Sequence, residues 1–97
     1  MATYVVLLRY TQQGMTTIKD SPKRLDAVKA AAKAAGGEIK AYYLTMGRFD
    51  AVVVAEAPDD AAFAKVIIGV AAQGNVQTES LRAFTEDEYR TIIAGLP

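Results

Sequence analysis

Thr3 to Tyr10 carries apolar side chains on both faces, Tyr4-Val5-Val6-Leu7-Leu8, which predicts a short buried strand. Thr11 to Lys19, with Gly14 inside it, reads as a polar loop. Asp20 or Ser21 then caps a helix with Pro22 in its first turn, where the missing N–H costs nothing. Leu25, Val28, Ala32 and Ala35 form its apolar stripe, Lys23, Asp26 and Lys33 fall away from it, and Gly36-Gly37 closes it. Glu38 to Met46 and Phe49 to Ala57 read as a hairpin. A second helix runs from about Ala61 to Ala72 behind Pro58-Asp59-Asp60, and Gly74-Asn75 ends it. Val76 to Phe84 is a fourth strand, and Thr85 with Glu88 three residues on is a capping box that starts a final helix through Ile93.

The order β-α-β-β-α-β plus a terminal helix is the ferredoxin-like α+β plan, a four-stranded antiparallel sheet with helices on one face, over one domain spanning 1–97. The first and third strands are apolar on both sides, whereas a half-solvated sheet would alternate. A sheet face of that character needs a cover, and a second copy related by a two-fold axis is the simplest one. The expectation is a homodimer. Ile68 points off the core stripe of the second helix (Phe63, Val66, Ile67, Val70), which makes that helix a candidate contact for a larger assembly.

Gly47 as the first of two central residues signals a type II′ turn at Gly47-Arg48. Met46 then faces Phe49, Thr45 faces Asp50, Leu44 faces Ala51 and Tyr43 faces Val52. One hairpin face collects Tyr42, Leu44, Met46, Phe49, Ala51 and Val53 and should meet the helices. The other collects Tyr43, Thr45, Asp50, Val52, Val54 and Glu56 and should line a cleft between two sheets. Arg9, late in the first strand, comes near Asp50, early in the third.

Composition narrows the chemistry. Hydrophobic residues make up 52% of the 97, which places the chain among globular proteins. Eleven basic residues balance eleven acidic ones with no basic stripe, so neither nucleic acid nor an anionic membrane is an expected partner. There is no cysteine and no histidine. That removes disulfides, thiolate nucleophiles, Ser-His triads, proximal-His haem and the usual zinc sites, and no cofactor or metal is expected. The N-terminus lacks a signal-peptide pattern and no apolar run reaches about 18 residues, so a cytoplasmic location is the default expectation.

What remains is carboxylate, Tyr, Lys and Arg chemistry. In the expected cleft Asp50 is placed to act as a general base, with Tyr43 donating to a developing oxyanion and Arg9 assisting. The competing reading pairs Arg9 with Asp50 as a structural link that fixes the hairpin. A bound apolar ligand would be lined by Tyr43, Thr45, Asp50, Val52 and Val54. Asp59-Asp60 and Glu86-Asp87-Glu88 sit where helix starts favour acids and lack calcium-loop spacing.

Five segments in order, Asp20-Ser21-Pro22-Lys23-Arg24, Tyr43-Leu44-Thr45-Met46-Gly47-Arg48-Phe49-Asp50, Ala57-Pro58-Asp59-Asp60, Gly74-Asn75-Val76 and Leu81-Arg82-Ala83-Phe84-Thr85, resemble the GYD domain family of small bacterial proteins. The resemblance implies a dimeric α+β barrel and supplies no activity. Its Gly-Tyr-Asp signature falls on Gly47, Phe49 and Asp50, with Phe in the place of the name-giving Tyr and Arg48 between. The functional expectation is a homodimer holding a small apolar ligand between its sheets. The alternative is a cofactor-independent isomerase, cyclase or oxygenase with Asp50 as base.

Overall fold

The computed structural model describes residues 1–97. The strands are β1 (Ala2–Tyr10), β2 (Glu38–Leu44), β3 (Ala51–Ala57) and β4 (Val76–Ala83). The helices are α1 (Gln12–Thr16), α2 (Ser21–Ala34), α3 (Asp60–Ala72) and α4 (Glu86–Ala94), with a 3₁₀ turn at Ile18–Asp20. The four strands form one antiparallel sheet in the order β2-β3-β1-β4. The two most apolar strands, β1 and β3, are thus central, and the mixed strands β2 and β4 take the edges.

Alternation sorts the sheet into two faces. Tyr4, Val6 and Leu8 of β1 are buried with Ala51, Val53, Ala55 and Ala57 of β3 on the side covered by α2 and α3. The Tyr4 ring stacks on Phe63 of α3 with centroids 3.9 Å apart, and its hydroxyl donates to Asp60 at the start of that helix. Burial together with the Asp60 bond pushes the Tyr4 hydroxyl pKa up. Thr3, Val5, Leu7 and Arg9 point to the opposite side, where no element of the chain packs.

At α2, Pro22 stands in the first turn as expected, but Asp20, at the N-cap position, makes no side-chain cap bond. The starts of α3 and α4 follow the expected chemistry. Asp59 accepts from the Ala62 N–H at 2.8 Å, and Thr85 and Glu88 form the reciprocal capping box. Two expectations are corrected. Thr11 to Lys19 is not a plain loop: Thr11 caps α1 by accepting from the Gly14 N–H at 3.1 Å. That short helix is clamped to the α3–β4 turn, with the Thr11 hydroxyl donating to Gly74 O at 2.6 Å and the Thr11 N–H to Asn75 O at 3.0 Å. Leu44 and Met46 do not meet the helices either, being 74% and 100% exposed at the end of the hairpin.

The last helix stands apart. α4 makes at most marginal contact with the sheet and the other helices, and Tyr89, Ile92, Ile93 and Leu96 in and just after it are exposed. Its only charge pairing is internal, Arg90 to Glu86 at 2.8 Å one turn apart.

Candidate functional site

The hairpin end carries the signature residues, and backbone pairing sets their positions. Leu44 pairs with Ala51 and Tyr43 with Val52, as the turn chemistry predicts. The Thr45 N–H then donates to Asp50 O at 2.9 Å, and Met46 to Phe49 make the bend with Gly47 at φ 122°. At that φ a side chain is strained, which is why Gly stands there.

Each signature side chain has a partner. The Asp50 carboxylate accepts from the Tyr10 N–H at 2.9 Å while the Asp50 N–H donates to Leu8 O at 2.8 Å, so the residue bonds the end of β1 twice. The Thr45 hydroxyl donates to Phe49 O at 2.7 Å. Arg9 donates its Nε–H to Arg48 O at 2.8 Å and lays its guanidinium 4.9 Å from the Phe49 ring centre. The Arg9–Asp50 ion pair considered as a structural link does not form: the carboxylate is taken by a backbone N–H and the guanidinium by a carbonyl and a ring. Phe49 likewise packs against Arg9 rather than against the helices.

The other expected lining residues diverge from these. Val52, Val54 and Tyr43 lie on the open sheet face, Tyr43 with 62% of its surface exposed. Around them the register sets Val5 between Val54 and Leu81, and Leu7 between Val52 and Glu79. The result is an apolar centre of Val5, Leu7, Val52, Val54 and Leu81 with Arg9, Gln77, Glu79 and Glu56 at its margin. That apolar centre and polar margin match the anatomy of a protein interface.

A second feature is one that the sequence does not announce. An apolar cavity of about 230 Å³ lies between the sheet and the two long helices, walled by Val6, Leu8, Leu25, Val28, Phe63 and Ile67 among others. None of Tyr43, Thr45, Asp50, Val52 or Val54 lines it. Ser21, Gln73, Asn75 and Thr78 are among its polar lining residues, and so are Tyr10 and Tyr42, whose hydroxyls lie 2.8 Å apart. Burial, the bond to Tyr10 and the nearby Asp50 charge, in that order, push the Tyr42 pKa up. The wall residues read in the sequence as ordinary core stripes, and nothing in a stripe tells a filled core from a hollow one.

The GYD domain model matches residues 4–93. The chain belongs to the GYD domain family. A curated relative, the glutamine synthetase and cystathionine beta-lyase binding protein of Thermus thermophilus, is 33% identical over 84 residues, covering 86% of this chain and 88% of the relative. Two solved structures share the fold. FFRP-DM1 superimposes with a TM-score of 0.62 at 17% identity, covering 87% of this chain and all of that one. TTHA0845 from Thermus thermophilus gives 0.56 at 24% identity, covering 88% and 95%. Within this GYD chain the signature acts locally: Gly47 permits the bend, Phe49 supports Arg9, and Asp50 ties the hairpin to β1.

No helix is long and apolar enough to cross a membrane.

Proposed function

We propose that this GYD protein is a non-catalytic binding module that pairs with a second copy of itself through its open sheet face. The observation that carries the reading is the apolar centre of Val5, Leu7, Val52, Val54 and Leu81, left uncovered by its own helices. Two such faces laid together would bury both centres and complete the dimeric α+β barrel. In this reading Tyr43, Thr45 and Asp50 have supporting roles. Thr45 is spent on the turn and Asp50 on the end of β1, which leaves neither to anchor a small guest between the sheets.

The name of the Thermus relative supports extending the reading to protein partners, with the outward α4 and its apolar residues as the surface left free for an enzyme such as glutamine synthetase. Sedimentation of the wild type and of Val54→Asp tests the pairing. A dimer that the substitution converts to a 10.4 kDa monomer supports it, and a wild type that sediments as a monomer at micromolar concentration overturns it. Titration of the protein into purified glutamine synthetase tests the extension, which fails if no heat or mass change is seen.

A further inference from the structure

The cavity beneath the helices is on the other side of the sheet from the pairing face, so what it holds is a separate question from how the chain assembles. Its wall is mostly aliphatic and aromatic; Ser21, Gln73, Asn75 and Thr78 also line it, and the Tyr10–Tyr42 hydroxyl pair is set among the apolar side chains. A cleft of about 230 Å³ between the helices and the sheet leaves its lining side chains short of the dispersion contacts that a close-packed core supplies. It exceeds the roughly 150 Å³ of an apolar cavity able to take up benzene.

No charge is free inside it. Arg24 at the rim is committed, donating to Thr17 O and Oγ1 at 3.1 Å and to Gly14 O at 3.3 Å. Glu56 borders it from β3, but its carboxylate belongs to the opposite sheet face, 3.9 Å from Lys40. The Asp50 charge acts on Tyr42 and disfavours an anion beside it. In the hydroxyl pair one O–H is used between the two rings, which leaves the second free to donate and an oxygen free to accept.

We propose that this cavity is a binding site for a small neutral molecule, an aromatic or short aliphatic body with one hydroxyl or carbonyl group, met by the Tyr10–Tyr42 hydroxyl pair. The body fills the space against Leu25, Val28, Phe63 and Ile67, and the head group completes the tyrosine pair's hydrogen bonding. Recognition is by shape and one polar anchor, the ordinary pattern of small-molecule pockets.

The test uses 4-ethylphenol and ethylbenzene as matched probes, followed through the methyl resonances of the full chain. Support is saturable binding of 4-ethylphenol with Kd at or below about 1 mM, with shifts at Val6, Leu25, Val28 and Ile67 and not at Val5 or Val54. Tyr10→Phe/Tyr42→Phe should weaken 4-ethylphenol about three- to tenfold and leave ethylbenzene within about twofold. Val28→Phe, which fills the space, should abolish both. Absence of saturable shifts with either probe, shifts confined to the open sheet face, or unchanged discrimination in the double Phe variant would each overturn the proposal. The outcome is independent of sedimentation: a monomer that binds 4-ethylphenol sinks only the pairing, and a dimer that binds neither probe sinks only the site.

Discussion

The carboxylate of Asp50 holds the backbone N–H of Tyr10 at 2.9 Å, joining the hairpin bend to the last residue of β1 across 40 positions of sequence. A carboxylate accepting from an amide is a charge-assisted bond, and such bonds contribute about 1.5–3 kcal/mol each. Asp50→Ala should therefore lower the stability to urea by about 2 kcal/mol with an unchanged m value. Asp50→Asn keeps an acceptor oxygen and should cost about 1 kcal/mol or less. An Asp50→Ala protein as stable as the wild type would remove the locking role given to the signature.

Gly14 is required by contact. A Cβ built there would lie 2.0 Å from the backbone oxygen of Asn75, which already accepts from the Thr11 N–H. Gly14→Ala must push α1 off the α3–β4 turn and should cost about 1–3 kcal/mol, read as a lowered thermal midpoint. Met15→Ala, on the exposed side of the same short helix, should change stability by less than about 0.5 kcal/mol.

Tyr4 and Tyr42 predict an alkaline transition. Both hydroxyls ionise above their ordinary value of 10.0, chiefly because burial disfavours the anion. The folded state favours the neutral form, so this contribution is complete below pH 10.0 and is lost as the pH climbs through the folded values. Ultraviolet absorbance should show two tyrosinates forming only together with loss of the sheet signal in circular dichroism. Tyr42→Phe should remove one of the two.

Glu88 gives the opposite sign. Accepting the Thr85 N–H at 2.9 Å holds its carboxyl below the ordinary 4.5. That contribution to α4 is present above pH 4.5 and is lost as the pH falls through the lower folded value. Chemical shifts of residues 86–94 should report fraying of α4 in acid, and Glu88→Gln should make the helix start indifferent to pH over that range. Fraying that persists unchanged in Glu88→Gln would refute the assignment.

Much of this architecture is legible in the sequence because local and global preferences agree. Pro22, Asp59 and the Thr85–Glu88 box sit at three helix starts, and the apolar runs of β1 and β3 mark the two central strands. The Gly47 turn implies a register that the ladder reproduces at Tyr43 and Leu44. α1 is not legible: five residues with a glycine among them carry weak helical preference, and the helix is held by the clamp to residues 73–75. The alternation rule also carries Leu44, Met46 and Phe49 toward the helices, although α2 and α3 do not reach the end of the hairpin. Spacing alone brings Arg9 near Asp50 but does not show that a nearer N–H and a nearer carbonyl claim them.

Only nine of the 97 residues are buried, and four of those are alanines. Heat capacity of unfolding tracks the greasy area released to water, typically about 12–15 cal/mol/K per residue. A lone chain of this kind falls at the lower edge of that range. Its stability therefore changes gently with temperature, giving a broad plateau in place of a sharp optimum.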